Sequence, residues 1–112
     1  MEVIKKERYD GKFLREIVTG FEIYYDFIKH NVEGPAYLLF DNKRRICEES
    51  YYFMGKLHRV DGPAHIEYEF NKYNDNVKSH SYYYINGIYM PRETFYEKLN
   101  TEDKIRFLYN GY

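Results

Sequence analysis

The chain has 112 residues, enough for one domain with a single modest core. Its formal net charge of −1, with 17 Lys and Arg against 18 Asp and Glu, argues against a protein that grips nucleic acid electrostatically. Its 15 Tyr and 8 Phe, with no Trp, favour strands and aromatic contact surfaces, and the single cysteine, Cys47, excludes an internal disulfide.

In chain order, residues 2–9 read as a polar lead-in or first edge strand. Glu2, Lys5, Lys6, Glu7 and Arg8 interrupt any apolar run long enough for a signal or a membrane span. The expectation is an intracellular, cytoplasmic protein of whatever cell makes it, without a membrane partner. Asp10-Gly11 predicts a hairpin turn, since both residues tolerate positive φ. From Phe21 to Phe27 the alternation predicts one half-buried strand, with Phe21, Ile23, Tyr25 and Phe27 on one face. Ala36–Phe40 is the next strand, with Ala36, Leu38 and Phe40 inward. Asp41-Asn42-Lys43 turns the chain, and Ile46–Phe53 returns it. Met54-Gly55 predicts a type I turn with Gly55 in a bulge, because Met disfavours the positive φ of a type I′ turn. Cys47 reads as a small hydrophobic strand residue.

The next strand has Ala64, Ile66, Tyr68 and Phe70 inward and His65, Glu67 and Glu69 outward. Asn71–Lys78 is an Asn-rich loop, Ser81–Ile85 the last long strand, and Asn86-Gly87 the strongest hairpin signal. Pro91 suits a first helical position, with Phe95 and Leu99 sharing one face. Thr101 reads as a second N-cap, followed by Glu102 and Asp103 in the first turn and by Ile105, Leu108 and Tyr109 facing inward; Gly111 closes that helix.

The chain repeats itself. His30-Asn31-Val32-Glu33-Gly34-Pro35-Ala36 returns as His58-Arg59-Val60-Asp61-Gly62-Pro63-Ala64, an offset of 28. Tyr51-Tyr52-Phe53-Met54-Gly55 returns as Tyr83-Tyr84-Ile85-Asn86-Gly87, an offset of 32, and Tyr9–Arg15 echoes Phe53–Arg59. Such periods mark stacked supersecondary units. Approximate units are 9–29, 30–57 and 58–89 within a single domain 1–112, closed by a helical cap over 91–110. The fold class expected is mainly β, an antiparallel meander of repeated hairpins with a short C-terminal helical cap.

The strings GKLHRVDGPA, HNVEGPA and YYYINGIY resemble the NGKLHREDGPA repeats of small viral proteins from tailed phages and giant viruses. More distantly the hairpins are similar to MORN-type repeats, whose sheets serve as binding surfaces or scaffolds. Pro91–Leu99 is similar to the short helix that often closes the viral arrays. The resemblance covers roughly residues 24–99 and implies a repeat protein that binds another protein; it supplies no catalytic residue. Asn31 in place of Arg, and no Gly at Phe27, set the first copy apart.

His58 with Asp61, echoed by His30 with Glu33, is a candidate acid–base or metal pair, since two His and two carboxylates are a zinc-compatible set. Each pair adjoins Gly-Pro, where an acidic side chain can cap turn amides. His30, Glu33, Gly34, Pro35, His58, Asp61, Gly62 and Pro63 are therefore assigned to turn structure, with no metal and no cofactor expected. His65 and His80 read as solvated, and Lys43-Arg44-Arg45 as a solvated basic turn. No phosphate loop, nucleophile elbow or zinc knuckle is present.

The Tyr-rich strands place aromatics on both faces, so the face away from the core is a contact surface or simple cross-strand packing. Ile85 assigns Ser81, Tyr83 and Ile85 to the core, leaving Tyr82 and Tyr84 beside the row His65, Glu67 and Glu69, with Tyr51 as a third aromatic member. This Tyr–Glu face suits a basic surface on a partner protein. The leading expectation is a non-enzymatic module, a phage or viral factor that binds and inhibits a host defence protein, with no direct nucleic-acid contact. The alternatives are a small-ligand or nucleotide sequestering protein, an assembly adaptor and, least favoured, a hydrolase using His58 and Asp61.

Overall fold

A computed structural model describes residues 2–10, 14–71 and 77–112. The strands are β1 (Ile4–Asp10), β2 (Leu14–Ile23), β3 (Asp26–Lys29), β4 (Tyr37–Phe40), β5 (Ile46–Ser50), β6 (Tyr52–Phe53), β7 (Lys56–Leu57), β8 (His65–Phe70), β9 (Val77–Ile85) and β10 (Ile88–Met90). Two helices follow, α1 (Arg92–Lys98) and α2 (Thr101–Tyr109). The fold is mainly β, an antiparallel hairpin-rich meander with two C-terminal helices, in the order β1-β2-β4-β5-β8-β9-β10. Strand β3 pairs with the end of β2, and β6 with β7 makes a separate ribbon.

The two loop copies use one set of backbone bonds. Thr19 N–H donates to Ala36 O and His30 N–H to Thr19 O; Tyr51 N–H donates to Ala64 O and His58 N–H to Tyr51 O. Ala36 N–H donates to Ser50 O as Ala64 N–H donates to Tyr82 O. Both alanines are fully buried, so the small side chain is what the loop geometry demands there.

The expected single strand over Phe21–Phe27 is instead a hairpin. The chain reverses at Tyr24-Tyr25, with φ of 51° and 82°, and Phe21 pairs with Ile28 while Ile23 pairs with Asp26. The reversal puts Tyr24 and Tyr25 in solvent rather than on alternate faces. Met54-Gly55 also departs from expectation: both φ values are positive, 50° and 84°, the signature of a type I′ turn. A two-residue loop between the paired Phe53 and Lys56 requires that twist, and it overrides the preference of Met. Asn86-Gly87 repeats it at 49° and 81°.

The return strand Ile46–Phe53 breaks at Tyr51 into β5 and β6, because Ser50 is the last residue to pair with β4 and β8. Strand β9 begins at Val77, inside the expected loop, paired with Phe70. Gly11, at the first expected turn, lies outside the described residues, as do residues 72–76 of the Asn-rich loop. Asp10 pairs with Leu14 across the first of these.

The helices bury one aromatic cluster. Tyr83, Met90, Phe95, Leu99 and Phe107 are buried together, with Val60, Ile85, Tyr96 and Tyr112 packed against them. The Phe107 ring centroid lies 5.7 Å from those of Phe95 and Tyr96 and 6.0 Å from those of Tyr83 and Tyr112. Burying one such ring is worth roughly 1.5–3 kcal/mol. The inward residue of α2 is thus Phe107, whereas Ile105, Leu108 and Tyr109, expected inside, are exposed. The helix starts shift in opposite directions: α1 begins one residue later than expected and the N-cap of α2 sits one residue earlier. Pro91 caps α1, and the Asn100 side chain accepts from Asp103 N–H at 2.8 Å in place of Thr101. At the far end Gly111 N–H bonds Leu108 O and Tyr112 N–H bonds Phe107 O, with Gly111 at φ 84°, a Schellman closure.

Candidate binding groove

Strands of period two send alternate side chains to opposite faces, and register decides which ones meet. On the face away from Ile66 and Tyr83, cross-strand pairs align Tyr37, Ser50, His65 and Tyr82 in one row. A second row brings Glu48, Glu67 and His80 side by side. Tyr52 and Leu57, paired in the separate ribbon, and Lys29 of β3 bound the same space. The result is a groove of about 670 Å³ lined also by Glu16 and Tyr84.

A hydrogen-bonded chain runs along its floor. Ser50 is 3% exposed, its Oγ lies 2.6 Å from His65 Nδ1, and His65 Nε2 lies 3.0 Å from Glu67 Oε1. An ionised carboxylate only accepts, so the partners assign the imidazole proton to Nε2 and make the Ser50 hydroxyl the donor to Nδ1. The order matches that of an activated hydroxyl, but the amide following Ser50 is spent on Ala64 O at 2.6 Å. It cannot serve an oxyanion. What the chain does is hold the imidazole and the Glu67 carboxylate in fixed orientation beside the Tyr82 ring, whose centroid is 5.6 Å from that of His65.

Of the six residues assigned to the contact face, His65, Glu67, Tyr82 and Tyr84 line the groove. Glu69 is exposed beyond it, with its carboxylate 3.4 Å from His80 Nε2. Tyr51 belongs to the opposite face, since Ser50 and Tyr52 on either side of it both line the groove. There the Arg59 guanidinium packs 4.0 Å from its ring, and a smaller pocket includes both residues with Asn31, Glu33, Gly34, His58 and Asp61. His65, expected in solvent, is half-buried and bonded at both nitrogens. Glu16, Lys29, Tyr37, Glu48, Ser50, Tyr52 and Leu57 escaped the sequence reading. Glu48, Ser50 and Tyr52 share a two-residue spacing that could have grouped them; the others needed the sheet order.

The turn residues hold one unit to the next. His30 Nδ1 accepts from Met54 N–H at 2.9 Å, and His58 Nδ1 accepts from Asn86 N–H at 2.9 Å. The capping expected from Glu33 and Asp61 is done otherwise. Asn31 Oδ1 accepts from Glu33 N–H and its Nδ2 donates to Pro35 O, both at 3.1 Å. In the second copy Arg59 donates to Asp61 at 2.9 Å and to Pro63 O at 3.2 Å, so one longer side chain reaches the same carbonyl. Gly62 and Pro63 are buried beneath, and a Cβ on Gly62 would lie 2.6 Å from the Tyr112 ring. In the basic turn, Asp41 Oδ1 accepts from Lys43 N–H and Arg45 N–H, which with the Arg45 guanidinium holds its carboxyl below the usual range despite partial desolvation.

Among the described residues no group of three or more His, Cys, Asp or Glu side chains is placed to hold a metal ion. Nor is any described helix long and apolar enough to cross a membrane. Comparison with protein-family models, with curated proteins and with solved structures finds no match for this chain.

Proposed function

We propose that this chain is a non-enzymatic protein-binding module, a phage or viral factor that acts in the host cytoplasm by binding and inhibiting a host defence protein through the groove. The observation that carries the reading is the lining of one concave surface by tyrosines and carboxylates, Tyr37, Tyr52, Tyr82 and Tyr84 with Glu16, Glu48 and Glu67. Tyrosine offers a large contact area at low entropic cost, and the carboxylates favour a basic partner surface over a phosphate-bearing ligand. The resemblance of the repeats to viral NGKLHREDGPA proteins supports the viral origin.

Affinity capture from the producing cell, read by mass spectrometry, identifies the partner. The double mutant Tyr84→Ala, Glu67→Lys is then expected to lose about 2 kcal/mol or more of binding, the hot-spot range. A folded double mutant that binds the captured protein as tightly as wild type overturns the assignment of this face.

A further inference from the structure

The groove gathers more negative charge than it balances. Glu16 and Glu48 are half-buried and form no ion pair among the described residues, while Glu67 is engaged by His65. Glu16 and Glu48 flank Leu39 in one cross-strand row, and desolvation together with both carboxylates pushes the Tyr37 hydroxyl pKa up against a smaller opposing effect of Arg8. The one ammonium in the groove is Lys29. Its Nζ lies 4.9 Å from the Tyr52 ring centroid and 5.2 Å from that of Tyr37, again with no ion pair among the described residues. The site therefore already accepts a cation against tyrosine faces.

Elsewhere the same fold completes this arrangement with arginine. Arg59 packs 4.0 Å from the Tyr51 ring centre while donating to Asp61 at 2.9 Å. Arg45 packs 4.0 Å from the Phe70 ring centre while donating to Asp41 at 2.8 Å. A guanidinium suits such places because its face stacks on a ring while its edge donates to a carboxylate, and it is more weakly hydrated than an ammonium. No arginine lines the groove, yet the groove has both the rings and the carboxylates.

We infer that the groove receives an arginine side chain of the partner protein, stacked on the tyrosine rings and held by Glu16 and Glu48, with Lys29 withdrawn from its place over Tyr37 and Tyr52. The inference rests on the protein-binding reading and names what that face selects.

The test titrates the isotope-labelled full chain with the capped tetrapeptide Gly-Arg-Arg-Gly and its Gly-Lys-Lys-Gly counterpart, following backbone amide shifts. Shifts are expected at groove residues of β4, β5, β8 and β9, with the arginine peptide bound about fivefold or more tighter, given the better fit of a planar fork. Glu16→Gln with Glu48→Gln is expected to weaken it about tenfold, in line with the loss of charge-assisted bonds; the single Glu48→Gln serves if the pair does not fold. Lys29→Met is expected to tighten binding about threefold, as removal of a competing cation would. Lys43→Met, which removes the same charge at the distant β4–β5 turn, is expected to leave it unchanged. Equal affinity for the two peptides, shifts outside the groove, or equal gains from both lysine variants overturn the inference. A captured partner lost on Tyr84→Ala, Glu67→Lys while the arginine peptide leaves the groove unperturbed sinks this inference alone and spares the binding reading.

Discussion

Among the described residues, three two-residue hairpin tips place their residues alike but are held in two different ways. Tyr24-Tyr25, Met54-Gly55 and Asn86-Gly87 all place both tip residues at positive φ. At the second and third tips the preceding unit supplies the acceptors. Met54 N–H meets His30 Nδ1 and Gly55 N–H meets Lys29 O; Asn86 N–H meets His58 Nδ1 and Gly87 N–H meets Leu57 O. At the first tip no described side chain accepts from the turn amides, and both tyrosines stand in solvent at 91% and 105% exposure. The left-handed region costs a side-chain-bearing residue about 1–2 kcal/mol. What offsets that cost differs: the first hairpin has four cross-strand pairs where the second has two. The repeated histidine therefore belongs to the contact between units, and a tip without it needs a longer ladder.

That ladder has a weak point. Gly20 pairs with Lys29 in the register where Tyr52 pairs with Leu57. A Cβ on Gly20 would lie 1.9 Å from the Ile28 carbonyl oxygen, so the strands approach there as only glycine allows. Gly20→Ala is expected to cost about 3 kcal/mol, the upper end of overpacking penalties, read as a lower urea midpoint. A variant as stable as wild type would show that the close approach does not matter to the first hairpin.

The capped tips break differently. His58→Ala leaves Asn86 N–H without its acceptor and is expected to cost about 1–1.5 kcal/mol, the worth of one such bond. His30→Ala does the same at Met54. Amide exchange separates the two, because each variant deprotects only the tip that its histidine holds. Uniform deprotection in either would contradict the pairing of one histidine with one tip.

The comparison also runs the other way. Replacing Tyr24-Tyr25 by Asn-Gly supplies residues that adopt positive φ readily, and is expected to stabilise by about 1 kcal/mol, or several degrees in Tm. The gain is less than the relieved strain because Gly enlarges the unfolded ensemble. An unchanged or lower Tm would mean that the exposed tyrosines carry stabilising contacts of their own.

How far these features can be read from residues alone follows from the same physics. Asn86-Gly87 and the alternation of Ala64–Phe70 are local signals, and both correspond to structure. Tyr24-Tyr25 is not legible, because tyrosine prefers a strand and the alternation runs through it without a break; only pairing of β2 with β3 shows the turn. In α2 apolar residues fall all round a nine-residue helix, so Phe107 is singled out only by the rings of Phe95, Tyr83 and Tyr96 that receive it. Four of the eleven residues lining the groove were legible, as the alternation of His65, Glu67, Tyr82 and Tyr84. Glu16, Lys29 and Tyr37 come from strands far earlier in the chain and join it through sheet order.

The finest distinction between the third tip and the first one is its response to acid. His58 accepts at Nδ1 from an amide, and its partial burial disfavours the imidazolium, so its folded pKa lies below the ordinary value. The unfolded chain, titrating near pH 6.5, binds this proton first as pH falls. Below that pH the unfolded state holds more protons, and stability drops until the folded pKa is passed. The stabilising contribution is thus whole above about pH 6.5 and lost on acidification, at no more than about 1.4 kcal/mol per pH unit for one proton. His58→Gln keeps a side-chain acceptor without a titrating group. Urea midpoints of the wild type are expected to fall between pH 7.5 and 5.5 by more than those of His58→Gln, whereas Asn-Gly at Tyr24-Tyr25 leaves the wild-type slope intact. Identical slopes for wild type and His58→Gln would mean that the bond to Asn86 survives protonation, and with it the claim that this tip is held by a neutral imidazole would fall.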